Sequence, residues 1–214
     1  MGRIRKGANG GFSGKAGSVI GSNWRDIDYI RGLPKLSGKP ASQRQLEQRE
    51  KFKVAVNFLQ QIKPVLNSGF RTQKVGRATG YNLGLQILLQ EAVIGTYPTF
   101  EIDYSKVTLS KGGRGPALGP TISSPEPATI ELTWASVPNK AIAQPDDVAT
   151  IVLYSKEMNQ FVISDTDVTR AEESWSVVMP GLFSATEIYG WIFFEDRDHK
   201  LVSNSAYAGS VVLL

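Results

Sequence analysis

The sequence of 214 residues contains no cysteine. Disulfides, thiolate nucleophiles and cysteine-ligated zinc are therefore excluded, while the redox compartment stays open. Histidine occurs once, at His199, which is too few for a His-rich metal site or an ordinary Ser-His-Asp triad within one copy. His199 falls in "EDRDHK" and reads as a solvated turn residue between apolar runs. No apolar run approaches the ~20 residues of a membrane-spanning helix. The opening also lacks acids, the first being Asp26. Its basic start is not followed by the apolar segment of a secretory signal, and Lys6 stands where an acylation signal needs Ser or Thr. The expectation is synthesis in the cytoplasm without a signal peptide, and a final location in a virion or extracellular assembly is left open.

What the chain does have is an uneven distribution of charge. Residues 1–80 hold 16 Lys or Arg against 4 acids, a net +12, and residues 81–214 hold 8 against 16, a net −8. Such segregation points to an anionic partner for the basic half, or to oppositely charged faces that meet each other.

Along the chain, four parts are expected. Residues 1–40 form a Gly-rich basic arm and hairpin, with seven glycines among the first 21 residues. Glycine is costly to order and brings no side-chain area. "SVIGSNW" and "IDYIRGL" follow as two short strands around Arg25 and Asp26. Residues 41–110 form a helical layer with one strand. Ser42 and Gln45 have the form of a capping box. Leu46, Phe52, Ala55, Val56, Leu59, Ile62 and Leu66 make one apolar stripe on a helix of about 25 residues, kinked or ended by Pro64. A second helix spans "ATGYNLGLQILLQEAVIG", where Gly80 and Gly84 allow another backbone to come close. "TFEIDYSKVTLS" reads as a strand with a bulge near Ser105.

Residues 111–128 carry four glycines and four prolines and read as a linker. Residues 129–214 then supply six strand-like segments: "TIELTWAS", "VATIVLYS", "QFVISD", "SWSVVMP", "EIYGWIFFED" and "YAGSVVLL". They suggest a small antiparallel sandwich with Trp134 and Tyr189 as core anchors. The fold class is thus α+β and mostly β.

The strand order, Trp134 and the run from "MPG" through "EIYGWIFF" to "SNSAYAG" resemble a fibronectin type III-like or other immunoglobulin-like domain. "GFSGKAGSVIGSNW", "RGLPK", "KPASQRQLEQREKF" and "GTYPTFEIDYSKV" resemble a family of unknown function frequent in Bacteroidota, and the N-terminal segment is similar to openings of small phage structural proteins. The resemblance carries no activity over.

Catalytic motifs are incomplete. In "GANGGFSGKAGS", Ala16 follows Gly14-Lys15 where a phosphate loop needs a hydroxyl. "EDRD", "QPDD" and Glu172-Glu173 read as exposed turns, without calcium-loop spacing. No catalytic residue, metal or cofactor is expected. The candidate contact residues are Arg3, Arg5, Lys6, Lys15, Trp24, Arg25 and Tyr29, basic groups beside two aromatic faces. The first functional expectation is a non-enzymatic subunit that self-assembles through its N-terminal arm, in a virion or a filament. Its partners would be other copies of itself or other proteins of an assembly. The alternatives are a nucleic-acid-binding protein using the basic half, and a monomeric protein- or glycan-binding module using the sandwich loops.

Overall fold

The structure is a computed structural model that describes residues 2–3, 12–24, 27–35, 38, 40–73, 78–136, 141–165 and 167–214. The chain divides into two compact units, Met1–Ser42 and Gln43–Leu214.

The first unit is a small antiparallel sheet. It contains β1 (Gly2–Arg3), β2 (Gly14–Ala16), β3 (Val19–Trp24) and β4 (Ile27–Gly32), in the order β1-β4-β3-β2. The β-branched and aromatic residues of β3 and β4 pair over their whole length, from Val19 with Gly32 to Trp24 with Ile27. Gly17 turns the chain between β2 and β3 at φ +59°, a conformation that favours glycine. Gly21 has a different reason. A Cβ there would meet the Phe12 carbonyl oxygen at 2.3 Å and its ring at 2.6 Å, so Phe12 crosses the strand at the one position with no side chain.

The second unit begins with α1 (Gln43–Leu59), a 3-10 turn (Gln60–Ile62) and α2 (Lys63–Gly69). Pro64 lies in the first turn of α2, where its missing N–H costs nothing, so it opens a helix instead of kinking one. Phe58 is buried on this face, whereas Phe52, assigned to the stripe by its spacing, is 51% exposed. Next comes α3 (Gly80–Ile87), capped by Thr79, whose side chain accepts from the Asn82 N–H, and continued by a π turn (Leu88–Ala92). Gly80 and Gly84 press on α2: added Cβ atoms would lie 2.4 Å from the Leu66 carbonyl oxygen and 3.0 Å from a Leu66 methyl.

A hairpin of β5 (Val93–Thr96) and β6 (Thr99–Ile102) follows. The expected bulged strand stops here. Asp103 accepts from the Ser105 N–H and hydroxyl and holds residues 104–106 in a 3-10 turn.

The rest is a sandwich of seven strands: β7 (Leu118–Ser123), β8 (Thr129–Ala135), β9 (Val148–Ser155), β10 (Gln160–Ile163), β11 (Ser174–Val178), β12 (Glu187–Glu195) and β13 (Ala206–Val212). One sheet has the order β10-β9-β12-β13 and the other β11-β8-β7, all antiparallel. This is the strand arrangement of a fibronectin type III-like sandwich within an α+β chain.

The segment 111–128 departs from the linker expected of it. Its β7 pairs with β8, with a register shift between Leu118 and Thr121 that accommodates Gly119 and Pro120 on an edge strand. Upstream, Arg114 N–H donates to Val202 O at 3.0 Å and Gly115 N–H to Ile142 O at 2.8 Å. Backbone hydrogen bonding fastens this Gly/Pro-rich stretch to the sandwich.

Two apolar cores share one sheet. Ile151, Leu153, Ile188, Ile192 and Phe194 point between the sheets, onto Ile130, Leu132, Trp134 and Trp175. The alternate residues Val152, Tyr154, Trp191 and Phe193 pack with Phe58, Leu59, Ile62, Leu66 and Leu88 of the helical layer. Strands buried on both faces lose polar alternation, which explains the unbroken runs "TIVLY" and "YGWIFF". Each large apolar side chain buried this way contributes about 1.5–3 kcal/mol.

Candidate interaction site

Antiparallel register sorts the N-terminal sheet into two faces, because directly paired residues share a face and alternate residues repeat it. Lys15 pairs with Ile20 and Ile20 with Arg31. In the next row Ser22 pairs with Tyr29, and Tyr29 with Arg3. Trp24 pairs with Ile27. One face thus collects Lys15 and Arg31, both exposed, with the half-buried Ile20, Ile27 and Tyr29 and with Trp24, which is 53% exposed. Arg3 stands at a register position of this same face. Three of the seven contact residues picked from the sequence, Lys15, Trp24 and Tyr29, therefore meet on one surface, and Arg31 joins them. Strand alternation around Tyr29 was the signal for Arg31. Arg5, Lys6 and Arg25 lie outside the described residues.

The opposite face is different. Phe12 covers Gly21, and the Asn23 amide donates to Asp28 at 2.8 Å. Among the described residues of this unit Gly21 alone is buried. Among the described residues the sheet buries no apolar side chain, and its basic aromatic face retains accessible surface.

In the second unit one cluster of titratable groups is buried in the fold. Arg170, 1% exposed, donates from Nε to Asp147 Oδ2 at 3.2 Å and from a terminal nitrogen to Gly115 O at 2.7 Å, and it stacks 3.6 Å above the Phe194 ring. Burial pulls its pKa down and Asp147 opposes this. Arg114 binds the other oxygen of Asp147. Asp147 belongs to "QPDD", which reads from the sequence as an exposed turn; it is fully buried because two guanidiniums converge on it.

His199 does sit in a turn, at φ +53°, and its side chain is more than half exposed. Its Nδ1 lies 3.0 Å from Glu195 Oε2, and the Ser68 hydroxyl donates to Glu195 Oε1 at 2.5 Å. The carboxylate separates hydroxyl from imidazole, so the three groups tie α2 to the end of β12 without pairing a nucleophile with a base.

Trp134 is 4% exposed between the sheets. Tyr189, the other proposed anchor, is half-buried and lies on the helical face of β12, its ring centroid 4.2 Å from that of Tyr104. The two were assigned to one core because both follow strand alternation, but the shared sheet has two buried faces. Phe58, Tyr104 and Tyr154 also line a cavity of about 320 Å³ with Asn57 and Asn159. Among the described residues no helix is long and apolar enough to cross a membrane.

Strand order and burial define a protein with an immunoglobulin-like sandwich, a helical layer on one of its sheets and a separate basic N-terminal sheet. Residues 11–209 match DUF6266, a family of unknown function, and the chain belongs to that family. No curated protein matches it in sequence. Among solved structures, the fn3 domain of the human collagen alpha-1(XX) chain is similar at 12% identity, over 47% of this chain and 87% of that one, with a TM-score of 0.36.

Proposed function

We propose that the protein is a non-enzymatic structural subunit that assembles with other copies, or with other proteins of a virion or filament, through its N-terminal sheet. The observation that carries this reading is a four-stranded sheet in which Gly21 is the only buried described residue. Small sheets need an apolar face packed on something to be stable, and ordering a glycine-rich chain is costly. A sheet of this kind gains its missing burial by docking. Trp24, Tyr29, Ile20 and Ile27 supply apolar area, and Lys15 and Arg31 supply orientation and on-rate.

A second reading is favoured by the same face. Two aromatic rings flanked by cations suit a single-stranded nucleic acid, which stacks on the rings while its phosphates meet the basic residues. Sedimentation separates the two. Concentration-dependent assembly of the full chain that disappears on deleting residues 1–42 supports the subunit. A monomer that binds single-stranded DNA or RNA, with affinity falling steeply as salt rises, supports the second reading and overturns the first.

A further inference from the structure

The end of the sandwich where β7, β11 and β13 finish and β8 and β12 begin has an unusual surface. Backbone hydrogen bonds knit it together: Met179 N–H donates to Ala128 O, Ala128 N–H to Leu214 O, and Ala185 N–H to Leu213 O. The four most exposed large apolar side chains of the described residues all lie here, namely Val178 at 75%, Leu182 at 74%, Leu214 at 65% and Val212 at 56%. Val178 sits on the outer face of the β11-β8-β7 sheet and Val212 on that of the other sheet. Leu182 belongs to the connection that crosses between them. Exposed aliphatic groups gathered at one end of a domain mark a contact surface more often than chance scatter.

The charge around this end is one-sided. Glu126, Glu131 and Glu187 lie on the strands and connections of this end, and Glu157 lies on the β9–β10 turn beside it. Glu187 is the register partner of Val212, and Glu131 lies one pair along the face from Val178. Lys156, from the β9–β10 turn, offsets part of the charge at Glu187. Residues 1–42, by contrast, hold eight Lys or Arg against two acids, a net +6.

We propose that this apolar, acid-rimmed end of the sandwich receives the basic aromatic face of the N-terminal sheet of a second copy, so that copies join head to tail. The inference rests on the assembly reading above and names the surface that completes it. The aliphatic side chains pack against Trp24, Ile20 and Ile27, and Glu131 and Glu187 meet Lys15 and Arg31. Because donor and acceptor are different surfaces of one chain, the interface is heterologous, and it propagates into a ring or an open filament.

Two full-length double variants test it. K15E/R31E removes the donor charges, and V178K/L182K places cations on the acceptor at positions too exposed to disturb the core. Circular dichroism and melting temperature check that both stay folded. Each variant alone is expected to associate about tenfold or more weakly than the parent chain. Mixed one to one, they are expected to regain assembly, because each retains one intact half of the interface and the two altered halves carry opposite charges. Light scattering that is low for each variant alone and restored in the mixture supports the proposal. If V178K/L182K assembles like the parent while K15E/R31E does not, the acceptor surface is refuted and the assembly reading stands. If the parent chain itself stays monomeric, both fall.

Discussion

The indole N–H of Trp134 donates to the main-chain carbonyl of Arg170 at 3.1 Å, inside the sandwich. The ring itself packs against Phe194, with centroids 6.0 Å apart. A side chain from β8 is thereby fixed to the turn that carries the buried guanidinium. Trp134→Ala removes both the packing and the donor, and we expect a loss of about 3–5 kcal/mol. Urea denaturation of the full chain measures it. A shift under about 1 kcal/mol means that the indole lies outside the core.

Asp147 faces two cations, Arg114 and Arg170. Asp147→Ala leaves the fully buried Arg170 without its counter-charge, so a loss of about 3–5 kcal/mol is expected. Arg170→Met leaves Asp147 still paired with Arg114 and puts an apolar chain over Phe194. It should cost clearly less. The ordering of the two denaturation midpoints is the check, and equal losses would show that Arg170 packing, not charge pairing, dominates.

Gly112 and Gly113 separate contact from composition. A Cβ on Gly112 would lie 2.0 Å from the Val202 carbonyl oxygen, while one on Gly113 meets nothing within 4 Å. Gly112→Ala should destabilise by about 1–3 kcal/mol through overpacking. Gly113→Ala should be neutral, or stabilising by about 0.4–1 kcal/mol through the unfolded state. Two indistinguishable melting curves would mean that the segment 111–117 is not held against the sandwich.

Four tyrosines, Tyr104, Tyr154, Tyr189 and Tyr207, have raised pKa values, in each case foremost because burial disfavours the phenolate. At Tyr189 the hydrogen bond donated to Glu187 adds to this. Unfolded tyrosine ionises near pH 10, so above that pH the unfolded chain releases protons that the native chain retains. The stabilising contribution is whole below about pH 10 and is lost as pH rises towards the folded values. Urea midpoints should fall between pH 9 and 11, with tyrosinate absorbance from this cluster appearing together with unfolding. Tyr104→Phe should flatten that slope.

Much of this architecture is visible in the residues. The six sandwich strands from Thr129 onward are bounded by Pro, Asn, Asp or Gly and carry β-branched or aromatic residues. The hairpin of Val19–Trp24 and Ile27–Gly32 is visible for the same reason. β7 hides behind Gly119 and Pro120, because an edge strand tolerates them where a central strand does not. Phe52 obeys helical spacing as well as Ala55 does; a periodic stripe gives a direction, and only the opposing sheet decides how wide it is. The basic aromatic face follows from strand parity once pairing is known. The acceptor end was not legible, because Val178, Leu182 and Val212 are far apart in sequence and are gathered only by sheet topology.

The two-faced sheet also sets an order of events during synthesis. Ala92, at the end of the helical layer, leaves the ribosome about a hundred residues before Phe193, roughly 5–20 s earlier at ordinary elongation rates. Through that interval Phe58, Leu66 and Leu88 have no Trp191 or Phe193 to pack on, and Val152 follows Ala92 only after 60 residues. The nascent helices present a sticky surface until the twelfth strand arrives, and the sandwich and its helical cover reach their native state together. A ribosome stalled before β12 would therefore hold a chain in need of a chaperone.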